Sequence, residues 1–186
     1  MGLGLGFGLR LGFSGRKPYT GFMRIVGIDP GLATIGLGLV EAASVHDIRC
    51  VEWLTISTNA GVATAERLRE IHDDLGEFLR KTTPDLVVVE RLFFATNAKT
   101  AIDVAQARGV ILLTLAEHGV PVIEPSPLQL KSAITGDGRA DKRQVQDMLM
   151  QMLKLTATPK PDDAADALAL AVYGTLHRNA QSPITK

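Results

Sequence analysis

From residue 23 onward, short apolar runs closed by turn residues give way to longer stretches with a three-to-four-residue period. Residues 24–28 form an apolar run stopped by Asp29-Pro-Gly31, where Pro30 fixes φ and Gly31 tolerates the left-handed region. A second run, residues 33–40, is apolar and studded with glycine, and a third, residues 48–57, alternates. Three such runs joined by short turns predict an antiparallel meander. The period then lengthens: Val62, Ala65, Leu68, Ile71, Leu75 and Leu79 mark one face of a helix ending before Pro84.

Residues 85–90 form a continuous apolar strand closed by an acid, as expected of a buried parallel strand. Residues 97–118 predict a helix, 120–124 a short strand and 126–134 another helix. After the loop at 135–139, Asp141 and Gln144 have the spacing of a capping box opening a helix to about 155. Pro159 and Pro161 break the chain before a last helix at 162–177. The order predicts an α/β domain, a five-stranded mixed sheet of meander plus parallel strands, flanked by helices.

Composition changes this picture at the ends. Residues 1–22 hold seven of the 18 glycines, no acid and three bases, Arg10, Arg16 and Lys17. Glycine at alternate places leaves a strand little to pack, and Arg10 interrupts any signal-peptide core. The segment is expected to be a disordered tail, with the domain at 23–178 and a second tail at 179–186. The 186 residues carry 20 bases and 20 acids; without residues 1–22 the balance is 17 against 20, a net of −3. Bulk positive charge therefore cannot drive nucleic-acid binding, and any phosphate-binding surface must be local. The single cysteine, Cys50, excludes an intrachain disulfide and suits a reducing compartment. No apolar run reaches the ~20 residues of a bilayer-spanning helix, so no membrane association is expected.

The candidate chemistry is carried by acids. Asp29 and Glu90 each end an apolar strand, and in open α/β sheets ligands collect beyond the strands' carboxyl ends. Either alone is compatible with ordinary turn or surface chemistry. Asp163 and Asp166 lie three apart on a helix otherwise made of Ala and Leu; the helix dipole accounts for acids in the first turn but not for Asp166. Asp162 and Asp166 also share a face, at four-residue spacing. Converging carboxylates without a Cys or His cluster are hard oxygen ligands suited to Mg²⁺ or Mn²⁺. Two such ions about 3.5–4 Å apart would serve a phosphoryl displacement, the pattern of a metal-dependent nuclease. His46, His72, His118 and His177 stand apart from these acids and are read as surface or helix residues.

Four motifs, Gly27-Ile-Asp-Pro-Gly31, Val89-Glu-Arg-Leu-Phe93, Gln106-Ala-Arg-Gly109 and Asp163-Ala-Ala-Asp-Ala-Leu-Ala169, resemble in order and spacing the RuvC family of crossover (Holliday) junction endodeoxyribonucleases. The resemblance runs from about residue 23 to 177. It implies an RNase H-like fold and a cytoplasmic bacterial homodimer. The implied activity is metal-dependent resolution of four-way junction DNA by paired symmetric nicks in recombination and repair, at a short T-containing sequence. It also implies partnership with the branch-migration helicase complex RuvA–RuvB. The catalytic and metal-binding acids would be Asp29, Glu90, Asp163 and Asp166, with two Mg²⁺ or Mn²⁺ ions per site. Phe93 would stack on unpaired bases, with Phe94 as the neighbouring alternative, and Lys131 and Lys142 would contact phosphates. Arg91 and Arg143, with Lys99, Arg108 and Arg139, could widen the basic face. The apolar positions of the 97–118 helix, among them Ala101, Val104, Ala105, Ala107, Val110 and Ile111, could meet either the sheet or a second subunit. Competing readings are an RNase H-like nuclease acting on structured RNA (YqgF-type), a catalytically inactive junction-binding protein, and, more distantly, an actin-like or sugar-kinase ATPase.

Overall fold

In the computed structural model the described residues are 21–92 and 98–177, the side chains of 98–100 excepted. The expected tails at 1–22 and 179–186 therefore lie almost wholly outside the described residues, as do Phe93 and Phe94. The elements are β1 (Met23–Asp29), β2 (Thr34–Ser44), β3 (Asp47–Ser57), α1 (Thr64–Thr82), β4 (Leu86–Val89), α2 (Ala98–Glu117), β5 (Val122–Ile123), α3 (Pro127–Thr135), α4 (Lys142–Leu153) and α5 (Asp162–His177).

The strands form one sheet in the order β3-β2-β1-β4-β5. β1 pairs antiparallel with β2 and parallel with β4, and β4 pairs parallel with β5. This is the expected meander plus parallel strands. β2 runs four residues beyond the predicted end. Its alternation persists there, with Val40 and Ala42 buried and Glu41 between them turned outward to ion-pair with Arg24 and Arg49. β5 shrinks to two residues, because Pro121 and Pro125 bracket it and proline lacks the N–H a ladder requires.

Strand parity sorts the core into two layers. Ile25, Val40, Leu86 and Val88 pack with α3, α4 and α5 on one face. Val26, Ile28, Leu37, Leu39, Val87 and Val89 pack with Ile71 and Leu75 of α1 and Ala107, Ile111 and Leu115 of α2 on the other. The predicted capping box on α4 is present: the Asp141 side chain accepts from Gln144 N–H at 2.9 Å, and Gln144 returns to the Asp141 N–H at 2.8 Å. Ser126 and Gln129 make the same reciprocal pair on α3.

α5 is the most deeply inserted helix, with a nearly continuous buried run from Ala164 to Thr175 interrupted at Asp166. Glycines in the sheet let it lie that close. A Cβ built on Gly27 would stand 1.9 Å from the Ala167 carbonyl oxygen, and one on Gly36 would stand 1.9 Å from that of Asp163. A Cβ on Gly38 would meet the Leu168 nitrogen at 2.7 Å. No side chain fits at these three positions, so the small residues of strands and helix meet backbone to backbone.

Candidate active site

The close approach of α5 sets where its acids fall. Asp163 lies over Gly36, which pairs with Asp29 in the β1–β2 ladder, so the first turn of α5 covers the carboxyl end of β1. Asp29 shares the parity of Ile25 and Gly27 and so faces α5. Glu90 follows β4, whose Ile28↔Val89 pairing brings it to the same edge, on the parity of Leu86 and Val88. The expectation that strands one and four are neighbours, with their terminal acids meeting, is met.

These acids open into a cleft of about 280 Å³ lined by Asp29, Glu90 and Asp166, by Lys131 and Lys142, and by apolar walls from Pro127, Leu130, Val145, Ala169 and Leu170. Lys131 reaches it from α3. Lys142, at the start of α4, sends Nζ to within 3.1 Å of both Asp162 and Asp166. Asp163 does not line the cleft, but its charge acts on both Asp29 and Asp166. Asp162 is 64% exposed and is not among the charges that perturb Asp29. On Asp166 itself the charge of Asp162 acts more strongly than that of Asp163, so what sets Asp163 apart is that its charge reaches Asp29 as well.

The electrostatics are those of carboxylates held together against their preference. Burial, then repulsion from Asp166, Glu90 and Asp163, pushes Asp29 up to about 8, and Lys142 only partly offsets this. Burial and the charge of Asp166 raise Glu90, opposed by Lys131. Burial also raises Asp166, opposed by its hydrogen bond and ion pair with Lys142. Burial pulls Lys142 down, but hydrogen bonds to Asp162 and Asp166 outweigh it and raise the ammonium.

Among the described residues, no three acidic, His or Cys side chains already close around a single point as a finished cage. The cleft nevertheless fits a hard divalent cation: its donors are carboxylate oxygens alone, partly buried and mutually repelling, and among the described residues the charges that offset them are the ammonium groups of Lys131 and Lys142. The histidines take no part. His72 bridges Asp73 and Glu117, His118 bonds the Thr114 carbonyl, and His177 stacks on Tyr173.

The remaining candidate bases divide. Arg91 is exposed beside Glu90. Arg143 is 89% exposed, lies 3.9 Å from Asp147 on its own helix and does not line the cleft. Arg108 is drawn inward: its Nε donates to the Glu90 carbonyl oxygen at 3.1 Å and its guanidinium pairs with Glu124. Sequence reading grouped Arg108 with surface bases; the signal for its inward role was its place in the buried-face register of α2, one residue after Ala107.

The sequence profile described as "Crossover junction endodeoxyribonuclease RuvC" matches residues 25–174. A crossover junction endodeoxyribonuclease RuvC of Thermomicrobium roseum is 46% identical over 160 residues, covering 86% of this chain and 97% of its own. That of Gloeobacter violaceus is 47% identical over 155 residues, covering 83% and 89%. Among solved structures, Thermus thermophilus RuvC in complex with a Holliday junction substrate superposes with a TM-score of 0.80 at 34% identity, over 85% of this chain and 96% of that one. With a family match over residues 25–174, relatives 46–47% identical over most of both chains and a shared fold, the chain belongs to the RuvC family of crossover junction endodeoxyribonucleases.

Proposed function

We propose that the protein resolves Holliday junctions: it binds four-way junction DNA as a homodimer and hydrolyses one phosphodiester in each of two strands of like polarity, in bacterial recombination and repair. The observation that carries this reading is the convergence of Asp29, Glu90 and Asp166 with Lys131 and Lys142 in one cleft, in a chain of this family. Asp29, Glu90, Asp163 and Asp166 would hold two Mg²⁺ or Mn²⁺ ions, which when bound supply an activated water and charge stabilisation for an in-line displacement. The rest is done by the chain. Lys131, whose charge acts on Glu90, and Lys142, paired with Asp162 and Asp166, would bind the phosphates flanking the scissile bond. The walls made by Leu130, Val145 and Leu170 thin out water around the charges, which strengthens every electrostatic interaction inside.

Phe93, three residues beyond Glu90, is assigned to stacking on a base exposed at the junction, a contact worth about 1–3 kcal/mol. Dimerisation is assigned to α2. Its inward face, Ala107, Ile111 and Leu115, is fully buried against the sheet and α1. Its outward stripe leaves Ile102 67% and Leu113 55% exposed, with Gly109 between them open to solvent. A second copy packed on this stripe would give two sites related by a two-fold axis, as symmetric nicking requires. The setting is the bacterial cytoplasm, downstream of the RuvA–RuvB branch-migration complex; no helix among the described residues is long and apolar enough to cross a membrane.

The test is a nicking assay on a synthetic four-way junction and matched linear duplex, with Mg²⁺, Mn²⁺ or chelator. Paired symmetric nicks that need metal and spare the duplex are expected. Junction binding without cleavage in either metal, or cleavage of structured RNA in preference to the junction, would overturn the reading.

A further inference from the structure

The β4 ladder with β1 ends at Val89, so Glu90 lies one residue beyond the sheet and is not itself paired there. β5 offers little support on the other side, because its ladder with β4 covers only Val87 and Val88. What fixes the Glu90 backbone is a small polar assembly. The Arg91 N–H donates to the Pro125 carbonyl at 2.9 Å, and the Glu90 carbonyl accepts from Arg108 Nε at 3.1 Å. The opposite end of the same guanidinium pairs with Glu124, the residue that follows β5. Arg108 thus bonds the ends of two neighbouring strands at once, from a helix packed on the far face of the sheet. Its side chain is 17% exposed and that of Glu124 35%, so the guanidinium end of the pair is mostly covered while the carboxylate end still meets solvent.

From this geometry we infer that Arg108, held by Glu124, is a positioning residue that fixes the backbone of Glu90 and thereby aims its carboxylate into the cleft. Arg108 does not line the cleft, and its guanidinium is engaged by the Glu90 carbonyl and Glu124, so the action assigned to it runs through Glu90. The role needs a guanidinium: Nε and the terminal nitrogens donate in two divergent directions from one rigid plane, whereas a lysine ammonium at the same place could serve the carbonyl or the carboxylate but not hold both in register. Glu124 in turn fixes the rotation of that plane, so its loss should act in the same direction as loss of Arg108, more weakly. The inference rests on the reading of Glu90 as a metal-binding acid.

The experiment compares Arg108→Gln, Arg108→Lys, Glu124→Gln and Glu90→Gln in the full chain. It measures single-turnover junction nicking, Mn²⁺ affinity by calorimetry without DNA, junction affinity in chelator, and the thermal midpoint. Removing a group that orients a metal-binding side chain typically costs about 10–100-fold in metal affinity or activity. For Arg108→Gln, nicking and Mn²⁺ affinity should each fall by about that much, with junction affinity within about threefold of the parent; raised Mn²⁺ should recover part of the rate. Glu124→Gln should show the same pattern at the lower end of the range, and Arg108→Lys should fail to restore the parent values.

Parent-like Mn²⁺ affinity and nicking in Arg108→Gln and Glu124→Gln, alongside a defective Glu90→Gln, would overturn the positioning role while leaving the acid assignment intact. An active Glu90→Gln would overturn that assignment instead. Junction affinity falling in parallel with nicking in Arg108→Gln would make Arg108 a DNA contact and likewise refute the inference. If Arg108→Gln does not fold, Arg108→Lys and Glu124→Gln, which keep a charge or an isosteric amide in place, decide the question by the same readouts.

Discussion

Neutralising Asp29 should stabilise the metal-free protein, and by an amount that depends on pH in a calculable way. Burial and its acidic neighbours raise Asp29 from 3.8 to about 8. Between those two values the folded chain retains a proton that the unfolded chain has released. Stability from this group is therefore complete below about pH 4 and is lost as pH rises toward 8. One pKa unit corresponds to about 1.4 kcal/mol, so from pH 5 to pH 7 the folded state should lose roughly 2 kcal/mol through Asp29, allowing for relaxation of the cleft. An Asn at this position carries no titrating group. The comparison is urea unfolding of parent and Asp29→Asn, both stripped of divalent ions, from pH 5 to 7.5. From pH 5 to pH 7 the stability of the variant relative to the parent should rise by about 2 kcal/mol, or several degrees in Tm for a domain of this size. Saturating Mg²⁺ should reverse the order, because the parent gains binding free energy that the variant largely forgoes. A difference between parent and variant that stays constant across the pH range would refute the reasoning, since it would mean Asp29 keeps an ordinary carboxylate affinity and is not buried among like charges.

Asp29→Asn should also abolish nicking while leaving junction binding equal or tighter, as read by product analysis and gel-shift titration on one synthetic junction. Lys142→Gln should lower the single-turnover nicking rate by about 100-fold, with a much smaller change in junction affinity, because its ammonium lies among the acids and not along an extended DNA track. Gly36→Ala should destabilise the fold by about 3 kcal/mol or more in urea unfolding and weaken Mn²⁺ binding, since its methyl would have to displace the Asp163 carbonyl. Leu113→Glu should leave the far-UV circular dichroism of the folded chain unchanged, because the residue is mostly exposed on its own protomer. The same change should shift sedimentation toward monomer and uncouple the two nicks.

Much of this site is written in short-range sequence signals. Asp29 and Glu90 could be found because each closes an apolar run, and strand ends are legible from where apolar residues stop. The capping box at Asp141 and Gln144 was equally local, and both of its hydrogen bonds are present. What could not be read was the closeness of α5. Glycines at 27, 36 and 38 register in the sequence as weak strand formers, and their use becomes visible only when a helix from 130 residues later lies on them. The partners of Lys142 and Arg108 are likewise long-range: the register of α2 turns Arg108 toward the sheet, but nothing local names Glu90 and Glu124 as what it meets, or Asp162 and Asp166 as what Lys142 meets. For α2, periodicity marked apolar positions on more than one side of the helix, and only packing shows that Ala107, Ile111 and Leu115 face the core while Ile102 and Leu113 face outward.

The same three glycines explain why the metal-free cleft is electrostatically uncomfortable. A sheet with side chains at 27, 36 and 38 would hold α5 farther off, and the distance between Asp29 and the acids of its first turn would grow with it. Repulsion would relax and Asp29 would ionise more readily. The backbone-to-backbone contact instead fixes the acids at a separation that Lys131 and Lys142 only partly compensate. The helix buries its Ala and Leu residues along most of its length, so the apolar packing of Ala164, Ala167, Leu168 and Ala171 offsets repulsion confined to the first two turns. Stability is thus drawn from one end of α5 and spent at the other. Loosening the packed end, for instance by enlarging Gly174 against Ile25 and Val88, should therefore lower metal affinity even though the substitution lies about two turns beyond Asp166.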